Sequence, residues 1–234
     1  MSISENIAQI RERIESAARG SGRNPEEITL MAVSKTFLPE RIREAHAAGV
    51  RVFGENRVQE FADKSEAVRE LIGAEWHLIG HLQSNKANKA AELFRAIDSV
   101  DSFKLAQRLS AAAEKLGKKL DVLIEINVGG EEAKSGVNPN SEELQGLLEA
   151  ASRLEHLSIR GLMTIPPFTE DPEGARSYFR RLRELRDHIA SRRRPGISMH
   201  TLSMGMSHDF EVAVEEGSTC VRVGTGIFGE RALK

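Results

Sequence analysis

The chain has 234 residues, of which 40% are hydrophobic and 29% are charged, and its formal net charge is −2. This length suits one domain with a sizeable buried core, and the near-neutral charge gives no reason to expect nucleic acid as a partner. A single cysteine, Cys220, excludes a disulfide within the chain and favours a reducing cytoplasm, and no apolar stretch approaches the ~20 residues that cross a bilayer.

The first segment, Met1–Arg19, predicts an amphipathic helix. Ile3, Ile7, Ile10 and Ile14 recur at helical spacing, with charged residues between them. The segment has none of the features of a secretory leader. We therefore expect an extra helix ahead of the first strand.

Short β-forming runs then alternate with longer helical patterns, which is typical of a parallel sheet built from βα units. Eight strands are predicted in this way. They are Leu30–Val33, Val50–Phe53, Trp76–Ile79, Ala96–Val100, Leu120–Asn127, Ser158–Met163, His200–Ser203 and Cys220–Val223.

Helices are predicted between these strands from apolar spacing and from residues that favour helix ends. Ser102 and Ser141 are expected N-caps, and Pro39 and Pro172 suit a first helical turn. A shorter helix is expected to start at Ser207 or His208 and to end at Gly217. The longer helices are Pro39–Ala48, Glu55–Ile72, Ser84–Leu93, Ser102–Leu116, Ser141–Arg153 and Pro172–Ser191.

Eight βα units favour an α/β fold of the closed (β/α)8 type, a TIM barrel, which typically takes ~250 residues. The competing fold is an open doubly wound sheet, but no GxGxxG follows the first strand, which weakens its dinucleotide-binding version. No Gly/Ser/Pro-rich linker divides the chain. Residues 1–234 are therefore expected to form one barrel domain with the extra N-terminal helix and no C-terminal β domain. Its longest irregular loop is expected at Gly129–Asn140.

The first candidate for chemistry is Lys35, because barrels place their sites at the carboxyl ends of the strands. It directly follows Ser34 and the apolar run Leu30–Val33. Partial desolvation lowers the pKa of a lysine, and the neutral amine can form a Schiff base with an aldehyde. From this residue alone, a surface lysine at a strand end is an equal alternative.

Two glycine-containing segments follow the predicted strands 7 and 8, at Ser203–Ser207 and Gly224–Gly226. Barrels often bind phosphate on these loops, with backbone N–H groups and a short helix as donors. Ser203, Ser207 and Thr225 add hydroxyl groups. Either segment alone could be a simple turn, so it is the pair that predicts a phosphate site.

Arg222 lies inside the predicted strand 8, on the opposite side of the alternation from Val221 and Val223. A guanidinium there must be paired or must face a ligand. A permanent cation beside a pyridine nitrogen would discourage protonation of that nitrogen and limit the ring as an electron sink. The alternative is an ion pair in the barrel wall.

These residues stand within longer motifs that resemble the pyridoxal phosphate (PLP) homeostasis family, known as YggS/PROSC. The resemblance covers essentially the whole chain. The motifs that carry it are Ala32–Lys35, Phe53–Glu60, Trp76–Lys86 and Leu202–Arg231.

The resemblance implies a barrel like the N-terminal domain of alanine racemase, with PLP held as an internal aldimine on Lys35. It implies that Ser203, Gly224 and Thr225 hold the phosphate, that Arg222 faces the pyridine nitrogen and that Asn56 lines the pocket. The family function is PLP homeostasis, as a carrier or buffer of the cofactor and not as a dedicated enzyme. The expected partners of a monomeric protein are PLP and, transiently, PLP-dependent apoenzymes.

The alternative is a PLP-dependent amino-acid racemase, which needs acid/base groups on both sides of the cofactor. Racemases of related fold pair a lysine with a tyrosine from an added domain, but the only tyrosine here, Tyr178, has the spacing of a packing residue. A sugar-phosphate isomerase is a weaker alternative. No metal site is predicted, because His77 and His81 would lie ~13 Å apart along a strand.

Overall fold

Eight parallel strands pair side by side in chain order, and β8 closes the barrel by pairing with β1 at Thr29 and Cys220. This arrangement is seen in a computed structural model that describes residues 1–131 and 135–230. It confirms the predicted closed barrel over the open sheet. The strands are β1 Thr29–Val33, β2 Val52–Glu55, β3 Glu75–Leu78, β4 Ala96–Val100, β5 Leu120–Glu125, β6 Leu157–Met163, β7 Ile197–Met206 and β8 Cys220–Val223.

Helices cover the outside of this barrel, and several begin at the residues that the sequence indicated. Ser102 and Ser141 each accept a hydrogen bond from the backbone N–H three residues later, at 3.3 Å. The helices are α1 Ile3–Gly20, α2 Pro39–Ala47, α3 Val58–Ser65, α4 Ala87–Leu93, α5 Phe103–Lys115, α6 Glu142–Ala150, α7 Arg176–Ser191, α8 Phe210–Glu215 and α9 Thr225–Phe228.

The apolar core has two layers, because successive side chains of a strand point to opposite faces. One side of each strand packs against the helices, as Ala32 and Val223 do. The other side fills the barrel interior, where Met31, Val33 and Cys220 pack together with Ile79. Cys220 is a buried thiol, as its apolar surroundings predicted.

The extra N-terminal helix α1 is confirmed, and it packs against α2, α8 and α9. Its isoleucine stripe is buried, while Asn6 donates a hydrogen bond to the carbonyl of Ile227 at 2.9 Å. Arg13 forms an ion pair with Glu211 of α8 at 2.7 Å. The helix therefore supports α8, which follows the predicted phosphate-binding segment Ser203–Ser207, and α9, which begins within the other segment, Gly224–Gly226.

The sequence misplaced β2 and α3. Pairing with β1 begins at Val52 because the N–H of Val50 is used to close α2, by bonding to the carbonyl of Ala45 at 3.1 Å. Glu55 is then the last strand residue, not the first helical one. The helix ends at Ser65 and continues only as a 3₁₀ turn to Val68, since the chain must reverse before β3.

The region around β7 also differs from expectation. The strand runs over ten residues, Ile197–Met206, because it pairs with both β6 and β8 through irregular registers. Ser207 does not begin a helix; α8 begins at Phe210 after a turn, and the side chain of Asp209 accepts a hydrogen bond from the N–H of Met206 at 2.6 Å.

Among the described helices, none has both the length and the apolar character that a membrane span requires.

The predicted irregular loop at Gly129–Asn140 includes residues 132–134, which lie outside the described residues. On either side of them the chain folds back on itself. The N–H of Val137 donates to the carbonyl of Glu125 at 2.7 Å, and the N–H of Asn127 donates to the carbonyl of Val137 at 3.0 Å. This return places the buried Val137 directly beside the end of β5.

Candidate functional site

A cavity of about 300 Å³ opens at the carboxyl end of the barrel, where the strand alternation directs side chains inward. This volume lies at the small end of the usual range for ligand sites. Among the six predicted site residues, Lys35, Asn56 and Arg222 line this cavity. The full lining is Val33, Lys35, Asn56, Ile79, Gly80, His81, Glu125, Ser135, Ile165, Met206 and Arg222.

Lys35 follows β1 on the same side of the alternation as Met31 and Val33, and its side chain is half-buried. The next residue, Thr36, has a φ of 65°, which a side chain with a branched Cβ rarely adopts. A turn this sharp immediately after Lys35 must be held by its neighbours. The geometry thus keeps the amine at the mouth while the chain leaves the barrel.

The holding contacts come from a buried charge network behind Lys35. The Lys64 ammonium lies 2.8 Å from Oε1 of Glu55 and donates to the carbonyl of Ser34 at 3.0 Å. The Ser34 hydroxyl donates to the same Glu55 oxygen at 2.5 Å, and Glu60 accepts the N–H of Thr36. Burial raises the pKa of Glu55, which the nearby Lys64 opposes. Residues on both sides of Lys35 are therefore anchored to β2 and α3.

Arg222 is only 2% exposed, and its guanidinium lies within the barrel. It donates to the Ser203 hydroxyl at 2.7 Å and to the carbonyl of Thr164 at 2.7 Å. These partners are uncharged, so the ion pair considered as an alternative does not describe them. Burial lowers the pKa of Arg222, an effect that the more distant carboxylates partly offset. The cation is fixed across β6, β7 and β8, and part of it lines the cavity.

The predicted phosphate segments lie beside this arginine, although only Met206 among their residues lines the cavity. Ser203 is fully buried, with its hydroxyl under the Arg222 guanidinium. Thr225 is exposed at the start of α9, and the N–H of Gly226 donates to the Ser207 hydroxyl at 3.3 Å. The two segments are thus joined, as a shared phosphate cradle requires.

Glycine at two positions allows the backbone to approach closely at this end of the barrel. A Cβ on Gly80 would lie 2.3 Å from the Asn56 carbonyl oxygen, so the ends of β2 and β3 meet only because residue 80 has none. Gly205 has a φ of 92°, and a Cβ there would lie 2.5 Å from that of Ala213. These contacts bring Asn56 and the turn after β7 to the cavity.

His81 and Glu125 complete the polar lining, and the sequence did not single out Glu125. Nδ1 of His81 lies within hydrogen-bond distance of the Asp101 carboxylate, at 3.0 Å. Glu125 is 6% exposed, and its Oε2 has no hydrogen-bond partner among the described residues. Burial and then Asp101 raise the pKa of Glu125 to about 7, against Arg222 and His81. An acid among the apolar residues of Leu120–Glu125 was the signal that could have identified it.

Two other residues that the sequence raised as functional candidates, His77 and Tyr178, have structural contacts instead. His77 pairs with the buried Asp98 at 3.1 Å, and although burial alone would lower the pKa of His77, Asp98 and Glu75 raise it to about 9. Tyr178 packs against the outer core on α7. Within residues 1–131 and 135–230, no group of three His, Cys, Asp or Glu side chains is arranged to hold a metal ion.

Comparisons with known proteins show the family and the fold of this chain. The family model described as "Alanine racemase, N-terminal domain" matches residues 2–232. The pyridoxal phosphate homeostasis protein of Aquifex aeolicus is 48% identical over 231 residues, which is 99% of each chain. That of Escherichia coli K12 is 45% identical and covers 98% of this chain and 97% of its own.

Solved structures show the same likeness. PipY of Synechococcus elongatus, with PLP bound, aligns at a TM-score of 0.84 with 38% identity, covering 97% of this chain and 100% of its own. Alanine racemase from Streptomyces coelicolor aligns at 0.71 with 19% identity, over 99% of this chain and 59% of that enzyme, and so supports the fold alone. The chain belongs to the alanine racemase N-terminal domain family, among relatives named pyridoxal phosphate homeostasis proteins.

Proposed function

We propose that this chain binds PLP through Lys35 and acts in PLP homeostasis, as a carrier or buffer of the cofactor. The observation that carries the proposal is one cavity lined both by the Lys35 amine and by the buried Arg222 cation, next to two joined glycine segments. A lysine, a cation and a cradle of backbone N–H groups suit an aromatic aldehyde that carries a phosphate. The full-length likeness to PLP homeostasis proteins supports the same conclusion.

The residues divide the work of binding between them. Lys35 supplies the amine for covalent attachment, and the network of Glu55 and Lys64 orients the strand end that carries it. Gly224 and Thr225, with Ser203 behind them, are the proposed phosphate-binding residues, and Asn56 lines the ring pocket. When PLP is bound, its ring supplies the aldehyde and an electron sink. Arg222 limits that sink, because a fixed cation disfavours a proton on the adjacent pyridine nitrogen.

A carrier role suits the cavity better than a dedicated racemase does. Tyr178 packs outside the barrel on α7 and cannot act as a second acid/base group in the cavity. Glu125 is the observation that favours the racemase alternative, because a carboxyl with a pKa of about 7 lines the same cavity as Lys35. Measured turnover therefore has to decide between the two functions.

The test of binding is the visible absorbance that PLP acquires when attached to a lysine. Purified protein with PLP is expected to show this band, and Lys35→Ala is expected to lose it. Lys89→Ala, on the exposed side of α4, is the matched control and is expected to keep it. A stoichiometric band in Lys35→Ala would move the attachment elsewhere.

The test of catalysis is the loss of optical rotation from L-alanine or L-serine by the PLP-loaded protein. A carrier is expected to show at most a trace. Turnover near the ~10 s⁻¹ typical of enzymes would instead establish the racemase.

The proposal further includes that residues 1–234 form one PLP-binding domain, acting as a cytoplasmic monomer that passes PLP to apoenzymes. The single buried cysteine supports the compartment.

A further inference from the structure

Lys35 and Thr36 are the two central residues of a β-turn, which the N–H of Phe37 closes by donating to the carbonyl of Ser34 at 3.2 Å. The φ of Thr36 is 65°, a value that favours glycine in such a turn and costs free energy for a residue with a branched Cβ. The turn that carries Lys35 therefore depends on the contacts made at its two ends.

Each end of this turn has a neighbour from another part of the fold. The Ser34 carbonyl accepts a hydrogen bond from the Lys64 ammonium at 3.0 Å. At the other end, the ring of Phe37 stacks on that of Phe228, with centroids 4.5 Å apart and an angle of 30° between the planes. The network around Lys64 thus accounts for only one end, and Phe228 is the neighbour of the other.

Phe228 is itself held firmly at the end of α9. It is only 4% exposed, and its carbonyl accepts a hydrogen bond from Arg41 of α2 at 3.1 Å. The carbonyl of Ile227 accepts one from Asn6 of α1 at 2.9 Å. Carbonyls at the end of a helix have no partner within it, so these side chains supply what the short helix lacks. Two other helices therefore anchor the ring on which Phe37 stacks.

We propose that Phe228 is a positioning residue for Lys35, because its stack on Phe37 holds the turn from which the Lys35 side chain reaches the cavity. The inference rests on the proposed function, in which Lys35 is the point of attachment. Since α9 follows β8, the strand of Arg222, the same contact ties the segment after the arginine to the segment that carries the lysine. A loosened turn would misplace the amine but leave the rest of the cavity intact.

The test separates covalent attachment from the fit of the ring and the phosphate. Attachment of PLP is followed by its visible absorbance. Pyridoxine 5′-phosphate carries an alcohol in place of the aldehyde, so it binds only non-covalently, and its dissociation constant is measured by titration calorimetry. Phe228→Leu, which stays apolar but loses the ring, is expected to weaken PLP attachment about three- to tenfold. Binding of pyridoxine 5′-phosphate should change by less than about twofold, because attachment alone needs the amine in place.

A second variant tests whether the effect passes through the stack. Phe37→Leu is expected to weaken PLP attachment to a similar extent. The double variant Phe37→Leu/Phe228→Leu should be no weaker than either single one, because the same contact is lost in all three. Phe37 is only partly buried, so Phe37→Leu carries the test if Phe228→Leu fails to fold. Additive losses in the double variant would show that the two rings act separately.

Phe94→Leu is the matched control. Phe94 is 1% exposed, and its ring lies 4.9 Å from that of Phe61, but it comes just before β4 and so lies at the opposite end of the barrel from Lys35. It should lose stability without any change in PLP attachment. An equal loss of attachment in Phe94→Leu would mean a general loosening of the barrel and would overturn the inference.

The two ligands give the remaining outcomes. Equal weakening of PLP and pyridoxine 5′-phosphate in Phe228→Leu would mean that α9 shapes the ring or phosphate pocket, and not the position of Lys35. Unchanged attachment in a folded variant would mean that the turn needs no support from Phe228. Either result would overturn the inference while leaving PLP binding intact. If the wild-type protein attaches no PLP, the proposed function itself fails.

Discussion

Removing the Lys64 ammonium tests most directly how the end of β1, which leads into Lys35, is held in place. Lys64 is 9% exposed and lies 2.8 Å from Glu55, which is fully buried. Lys64→Met keeps much of the side-chain length but removes the cation. It leaves the Glu55 carboxylate without its counter-charge and the Ser34 carbonyl without one donor.

Breaking a buried ion pair by removing one partner costs about 3–5 kcal/mol, because the remaining charge is uncompensated. In a domain of this size that loss lowers the melting temperature by roughly 6–20 °C. Burial already raises the pKa of Glu55, and Lys64 opposes this rise, so the variant should raise the pKa further. The folded state then binds a proton more tightly than the unfolded state does, and stability falls as the pH rises.

The assay is urea unfolding of PLP-free protein at pH 8 and at pH 5, followed by circular dichroism. The deficit of Lys64→Met is expected to be larger at pH 8 than at pH 5, because burial raises the pKa of Glu55 and a lower pH favours its uncharged form. The control is Lys89→Met on α4, whose pair with Glu92 is about half exposed at both side chains, and it should stay within about 0.5 kcal/mol of wild type.

Two results would refute this reasoning. A deficit below about 1 kcal/mol at pH 8 would mean that the pair contributes no more than a surface pair does. A deficit that is equal at both pH values would mean that lost packing, and not the charge of Glu55, is responsible. Weakened PLP binding in a Lys64→Met protein that remains folded would connect the network to Lys35.

Three further predictions concern single residues. Glu125→Gln should be more stable than wild type above pH 7, by up to about 3 kcal/mol. The reason is that the pKa of Glu125 in the folded protein is raised from 4.5 to about 7, so wild-type stability is lost as the pH rises through that window. Equal free energies of urea unfolding for the two proteins at pH 8 would contradict this prediction. Cys220, whose pKa burial raises to about 12, should react with a thiol reagent only as fast as the protein unfolds, and rapid labelling of the native protein would show it to be accessible. Gly161→Ala should abolish soluble expression or cost more than about 4 kcal/mol, since its Cβ would lie 1.7 Å from the Thr201 carbonyl oxygen; a melting temperature near that of wild type would disprove the clash.

In the proposed function, the site divides between groups that bind PLP and groups that fix the positions of those binding groups. Lys35 and Arg222 line the cavity from adjacent strands, while Glu55 and Ser203 lie behind them and fix their positions. Such support matters, because an attachment point on a strand end is only as well placed as the backbone that carries it. If Lys35 is the attachment point, as proposed, the buried network around Lys64 serves PLP binding as well as stability.

Local chemistry in the sequence was enough to predict the barrel, the N-terminal helix and the inward direction of Arg222. Alternation with period two and helical spacing depend on neighbours along the chain, which the sequence contains directly. The same holds for the caps Ser102 and Ser141, whose partners are three residues away. The family motifs likewise placed Lys35, Asn56 and Arg222 at one end of one barrel.

Tertiary structure alone decided the contacts between residues that are distant in the chain. The extent of β7 depends on pairing with β6 and β8, and the pairing of Lys64 with Glu55 depends on how α3 lies against β2. The unpartnered Oε2 of Glu125 became visible only when the strands closed around it. Burial and Coulomb interactions depend on distance in space, and the order of residues along the chain does not specify that distance.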